Sequence, residues 1–315
     1  MRRFGLGAIF SLLLVGCATP YRIPLSPDAK ESVQSTSAVV MLRQEEIVAD
    51  FIPAIGGAAA GAVAGIPGIG ILIAAAAGAA EGAVLSNINA GRAKDAEKQA
   101  MPVRDALIDY DFRAQFQAAL NRELSNVAWL KLGEIKYDSP DTKLQDLKQK
   151  TTQNQLLLLN VSYALTPELR GFRLTSVVVA HPNDDRLKAI ASKERPNEDP
   201  SLLYRNTFVY THPLPVPYES ADKAAQAWSA NKGEAIRTAL NNGIAEMARL
   251  IAMDMQMFDQ PKPAGDGAKT ETYSNVAGVV VSETGDRVVL RLPNGSLRSL
   301  SKSETPEMNA GPRRI

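Results

Sequence analysis

Residues 51–80 set the hardest constraint on this chain. They carry no charged side chain, and nineteen of the thirty are Ala or Gly. Such a run is too apolar for a surface loop. It is also too rich in glycine for an ordinary core helix, where each Gly costs about 1 kcal/mol relative to Ala. The spacing inside it is informative. Gly57, Gly61 and Gly65 recur every four residues, and so do Ala74, Gly78 and Gly82. Four residues is slightly more than one helical turn, so each trio lies along one helix face. Stripes of small residues let two helices approach closely. Between the trios stand Ile66, Pro67 and Gly68, where Pro lacks a donor and Gly lets the chain reverse. The pattern predicts two antiparallel helices, about 53–66 and 69–86, packed through their small residues.

What surrounds that hairpin stays open. Each helix would be roughly 21–27 Å long, short of a bilayer's hydrocarbon core of about 30 Å. Ile66, Ile69, Ile71, Leu72 and Ile73 concentrate the apolar side chains at the tip. That gradient suits a hairpin dipping its tip into a membrane, and equally one packed in an oligomer. The alternatives are a core hairpin of the soluble body and a single tilted span kinked at Pro67.

The first residues address the compartment. Arg2 and Arg3 precede an apolar run from Phe4 to Val15, with Gly16 as a small residue before Cys17. This has the form of a secretory signal, too short for a spanning helix. Leu14, Val15, Gly16 and Cys17 resemble the lipobox of bacterial lipoproteins. The resemblance implies cleavage after Gly16, alkylation of the Cys17 thiol by diacylglycerol and acylation of the new amino group. Several acyl chains meet the two-signal requirement for stable anchoring. In that family Ala18, not being Asp, implies release to the outer membrane with the body facing the periplasm. The other reading of Cys17 is a chance cysteine in a secreted protein. As the single cysteine, it excludes an intramolecular disulfide and thiolate zinc sites.

Without Arg2 and Arg3, 33 basic and 34 acidic side chains nearly cancel. Near-neutrality gives no electrostatic case for nucleic acid as a partner. Residues 17–36 read as a lipidated tether and 37–47 as a first strand. An amphipathic helix is expected from Pro102 to about Asn126, following a charged exit over 91–100. Then come a strand (129–137), a short helix (141–150), strands at 155–166 and 169–181, a polar loop (183–201) and a strand at 202–212. A long helix (219–258) closes a body spanning 37–258. Residues 259–275 read as a flexible linker. The last segment, 276–301, reads as a β-meander, with Asn294 and Gly295 as its hairpin signal. The fold class expected is α+β: an antiparallel sheet packed by helices, with the hairpin inserted at 51–86 and the meander appended. The element order resembles the periplasmic α/β domains of the curli secretion pore and of penicillin-binding-protein activator lipoproteins. That resemblance is one of fold alone and covers no specific motif.

Chemistry is sparse. His181 and His212, with Asp184 and Asp185, allow a metal site only if the flanking strands bring both imidazoles to one edge. Polar turn residues are the simpler reading. Asp109 and Asp111 sit two apart on a predicted helix, point different ways, and read as solvated charge. Trp129, Trp228, Tyr204 and Tyr210 read as packing before they read as a binding surface. Met253, Met255, Met257 and Phe258 read as core filling or as an adaptable protein-binding end. No nucleophile motif, phosphate loop or cofactor site stands out. The expectation is a non-enzymatic envelope assembly or scaffolding component that self-associates or binds an envelope protein. It would contact lipid through the acylated Cys17, with 51–86 either a second lipid contact or packed in protein. The alternative is capture of peptidoglycan or a small ligand, and a hydrolase ranks third.

Overall fold

The computed structural model describes residues 22–52, 82–194, 201–214, 218–256 and 270–304. The expected sites Cys17, Gly57, Gly61, Gly65, Ala74 and Gly78 lie outside these. Gly82 is the first residue of a helix.

The α+β class expected from the pattern is the one found. Ten strands among the described residues join in one sheet with helices packed on it. Three strands form its centre: β4 (Gln155–Leu165), β5 (Gly171–Pro182) and β6 (Tyr204–Pro213), paired antiparallel in sequence order. Most of their residues are buried, as expected of strands in the middle of a sheet. Parallel pairs flank them. β1 (Thr36–Leu42) lies between β4 and β3 (Leu132–Asp138), parallel to both, and β2 (Val48–Ala49) runs parallel to the end of β4. On the other side β10 (Leu297–Ser301) pairs parallel with β6. Antiparallel β9 (Arg287–Arg291), β8 (Val276–Thr284) and β7 (Thr270–Tyr273) follow in turn. The sheet is therefore mixed. Parallel neighbours need long crossover connections, and here helices supply them.

Alternation assigns the two faces. Phe172, Leu174, Val178 and Ala180 of β5 point into the main core, with Leu157, Leu159, Val161 and Leu165 of β4. Three helices cover that face: α2 (Gly82–Asp105), α3 (Phe112–Leu124) and α6 (Ala221–Gln256). On the opposite face α4 (Leu144–Gln149) sets Leu147 over Val39, Met41, Leu156 and Leu158. α1 (Pro27–Ser32) and α5 (Asp185–Glu194) pack against each other at one end of the sheet.

Gly243 of α6 lies against the sheet, where an added Cβ would meet Phe172 and Tyr210 ring atoms at 3.0 Å. Helix propensity favours Ala there by up to about 1 kcal/mol, whereas forced overpacking costs about 1–3 kcal/mol. Three contacts with buried rings decide the sign. Gly243→Ala is expected to lose about 1 kcal/mol by urea denaturation, and unchanged or raised stability would show that the rings yield freely.

Several expected boundaries are corrected. Residues 17–36 are not tether throughout: Ser26 caps α1, and Leu25, Ala29 and Val33 are core residues. The charged stretch 91–100 is helical, and Pro102 lies in the last part of α2 instead of opening a helix. The next helix begins at Asp111, whose carboxylate accepts from the Ala114 amide at 2.9 Å. Such an N-cap satisfies a donor that the first turn leaves bare. The loop 183–201 contains α5, capped by Asp184 through the Leu187 amide at 2.8 Å. The long helix is broken at Ala230, Asn231, Lys232 and Gly233, the last three with positive φ. The expected linker ends early, because Thr270–Tyr273 is strand β7. Nor is the meander a separate appendage, since β10 joins it to the main sheet.

Candidate functional site

Three places hold polar or exposed apolar groups that packing alone does not require. The first is formed by the residues that flank the apolar segment, 47–52 on one side and α2 on the other. β2 runs beside the end of β4, the Asp50 amide donates to Leu165 O at 2.9 Å, and Asp50 pairs with Arg173. Burial and then the neighbouring Arg298 push the Arg173 guanidinium down to about 10. The Arg92 guanidinium of α2 donates to Ile52 O at 2.8 Å, and Arg104 donates to Ile47 O at 2.7 Å. α2 therefore runs antiparallel to residues 47–52, and its first part continues past the sheet. From residue 88 to 95 every side chain is exposed or half-buried, and Ala96 is the first described side chain of α2 that is buried. Ten residues precede Arg92 in α2, roughly 15 Å of helix at 1.5 Å each. Among the described residues no helix is long and apolar enough to cross a membrane.

The second is a cleft of about 400 Å³ beside this base. Its floor is Leu107, Tyr110, Phe112, Tyr163 and Leu240, and its rim carries Glu45, Glu46, Arg104 and Asp105. Phe112 stacks on Tyr163 with centroids 4.3 Å apart. Met101 and Ile108 also line it, and Ile108 is 91% exposed. Tyr110 donates to Asn241 Oδ1 at 2.6 Å and Tyr163 to Glu45 O at 2.7 Å. Burial raises the Tyr110 hydroxyl to about 12 against the pull of Arg237, and raises Tyr163 too. Both phenols therefore stay protonated donors. Glu45 pairs with Arg113 and Glu46 with Arg104, so the rim is largely charge-compensated, and the apolar floor suits a small apolar group. This cleft has no local signature in the sequence, because its walls come from four separate stretches.

The third is a buried ionic seam on α6. Asp254 is 0% exposed and accepts from Tyr204 Oη at 2.9 Å, Asn206 Nδ2 at 2.8 Å and Arg291 Nη2 at 3.0 Å. Arg22 Nη2 lies 3.4 Å away. Burial, then the Asp254 charge, holds the Tyr204 hydroxyl well above its ordinary range. Eight residues earlier, on the same helix face, Glu246 accepts from Arg249 and from Ser299 Oγ at 2.7 Å. Burial pushes the Glu246 carboxyl up, but the hydrogen bonds and charge of Arg249 outweigh it and the net shift is downward. Arg287 reaches Thr211 O and Ser299 O, both at 2.9 Å, and covers the Tyr210 ring at 4.2 Å. This seam fastens residue 22, β6, β9 and β10 to α6. A lone Asp inside the apolar run 250–257 was the available sequence signal for it.

The other expected residues disperse. Antiparallel register sets Ala180 opposite Tyr204 and Phe172 opposite His212, so His181 and His212 sit at opposite ends of the sheet. An antiparallel turn brings together only residues equally far from it; continuing this register sets Leu203 opposite His181, and His212 is nine residues further along. His181 Nδ1 lies 2.7 Å from Ser201 O, and His212 Nδ1 3.2 Å from Tyr210 Oη. Asp185 pairs with Lys188 and Asp109 with Arg237. Among the described residues no group of three His, Cys, Asp or Glu side chains could hold a metal ion. Trp228, Tyr204 and Tyr210 are buried. Half-buried Trp129 donates to Met255 O at 3.0 Å. Met255 is core, Met253 packs against it, and Met257 and Phe258 lie outside the described residues. No protein family, curated protein or solved structure matches the chain.

Proposed function

We propose that this is a lipid-anchored lipoprotein of the bacterial outer membrane, with its body in the periplasm. In this reading it acts as a non-enzymatic assembly or scaffolding component of the envelope, through self-association or a protein partner. One observation carries the proposal: the lipobox-like Leu14, Val15, Gly16 and Cys17 supplies an acylatable thiol, the only one in the chain. The charge-free composition of residues 51–80 supports the assembly half, and the helix that follows it, α2, buries no described side chain before Ala96. The cleft beside Tyr163 favours a second reading, in which the body captures a small ligand with an apolar group.

Cys17→Ser removes the only acylatable thiol. Labelled palmitate incorporation should fall to background, and the signal should remain uncleaved at residue 16. Incorporation that persists in the variant overturns the lipoprotein reading. Membrane retention alone does not test it, because residues 51–86 are apolar in their own right. Size in mild detergent separates the two roles: a multi-copy complex supports assembly, and a strict monomer supports capture.

A further inference from the structure

We infer that the two apolar attachments of this protein leave opposite ends of its sheet, so that the end formed by the 292–296 turn and the start of β6 lies on the bilayer holding Cys17. The inference rests on the acylation of Cys17 proposed above. Its geometry comes from residues far from that site.

The chain is fixed to the body almost at once after the anchor. Ile23 forms a two-way bridge with Arg205, its amide donating at 2.8 Å and its carbonyl accepting at 2.9 Å. The Arg22 amide donates to Asn294 O at 3.2 Å, and its guanidinium lies 3.4 Å from buried Asp254. Only five residue steps separate Cys17 from Arg22, a reach of at most roughly 17 Å even fully extended. A lipoprotein body on a long linker samples every orientation, whereas this one is held by its β6 end.

The insertion departs elsewhere. Asp50 bonds to Leu165, which pairs with Phe172, which pairs with His212. Arg205 and His212 are seven residues apart on β6, about 23 Å along an extended strand. Residues 50–52 therefore stand at the end remote from Ile23. The direction of α2, set by Arg92 on Ile52 and Arg104 on Ile47, carries it farther still. The base of the charge-free segment is thus carried away from the anchoring leaflet.

An acylated Cys17 has no free thiol, so one introduced cysteine labels uniquely. Pro293→Cys places a fluorophore in the exposed turn beside Arg22, and Glu168→Cys places one in the β4–β5 turn at the remote end. The full-length acylated protein is reconstituted in phosphatidylethanolamine/phosphatidylglycerol vesicles containing a headgroup-quencher lipid. The label at 293 should be quenched at least threefold more than the label at 168. Inserting a ten-residue Gly/Ser spacer between residues 18 and 19 should remove most of that difference. Equal quenching, or stronger quenching at 168, overturns the inference while leaving the anchor in place. Mass spectrometry of the same preparation tells the two failures apart: an unacylated Cys17 defeats the lipoprotein reading, and the inference falls with it.

Discussion

Asp254→Ala is expected to lower the unfolding free energy by about 3–4 kcal/mol. Removing one partner of a buried ion pair typically costs about 3–5 kcal/mol, because the other charge stays buried without compensation. Here the carboxylate serves two guanidiniums, an amide and a phenol at once. Asn206 is fully buried and Tyr204 nearly so, and neither can turn to water. The two arginine side chains keep 18% and 21% exposure, which moves the estimate to the lower part of the range. Asp254→Asn should fall between, keeping an acceptor while losing the charge. Chemical denaturation measures the loss. Hydrogen exchange should place it at Ile23 and in β9 and β10, the segments the seam fastens. A change under 1 kcal/mol would mean that the seam satisfies its members without stabilising the fold.

Trp228→Ala should cost a similar amount, about 3–5 kcal/mol, by a different route. The indole is fully buried in the first part of α6, and its Nε1 donates to Leu169 O at 2.8 Å. Truncation opens a cavity and also strips that buried carbonyl of its donor. Trp228→Phe keeps most of the volume and loses the hydrogen bond, so about 1–2 kcal/mol is expected. Because α6 is broken just beyond, at residues 230–233, the residues before the break depend on this anchor. Limited proteolysis of the Ala variant should therefore begin in 230–233 before the rest of α6 opens. Cleavage elsewhere first would show that other contacts hold this part of the helix.

What the sequence revealed follows from how locally each element is determined. β4, β5 and β6 were legible because long β-branched and Leu-rich runs with turn residues between them have few other solutions. α6 was legible by its apolar periodicity, but its break was not, since Asn231, Lys232 and Gly233 interrupt no apolar stripe. α5 was hidden because its short core face is only Leu187 and Ala191 amid charge. The Asp111 cap was available as a signal, yet Pro102 offered a competing helix start. Long-range facts were out of reach. The parallel β6–β10 pairing leaves no local trace, and the Asp254 seam leaves only its lone Asp in an apolar run, because the partners of Asp254 lie 37 to more than 200 residues away.

That parallel pairing also orders events in time. Phe208 and Leu297 are neighbours in the sheet but 89 positions apart in the chain, so closing that loop is a late step. Until it closes, β6 offers the bare edge of a ten-residue strand, with Ile23 bridging it at Arg205. Bare edges invite pairing with another chain. A polypeptide emerging N-terminus first thus passes through a stage in which most of its sheet exists and its stickiest margin is open.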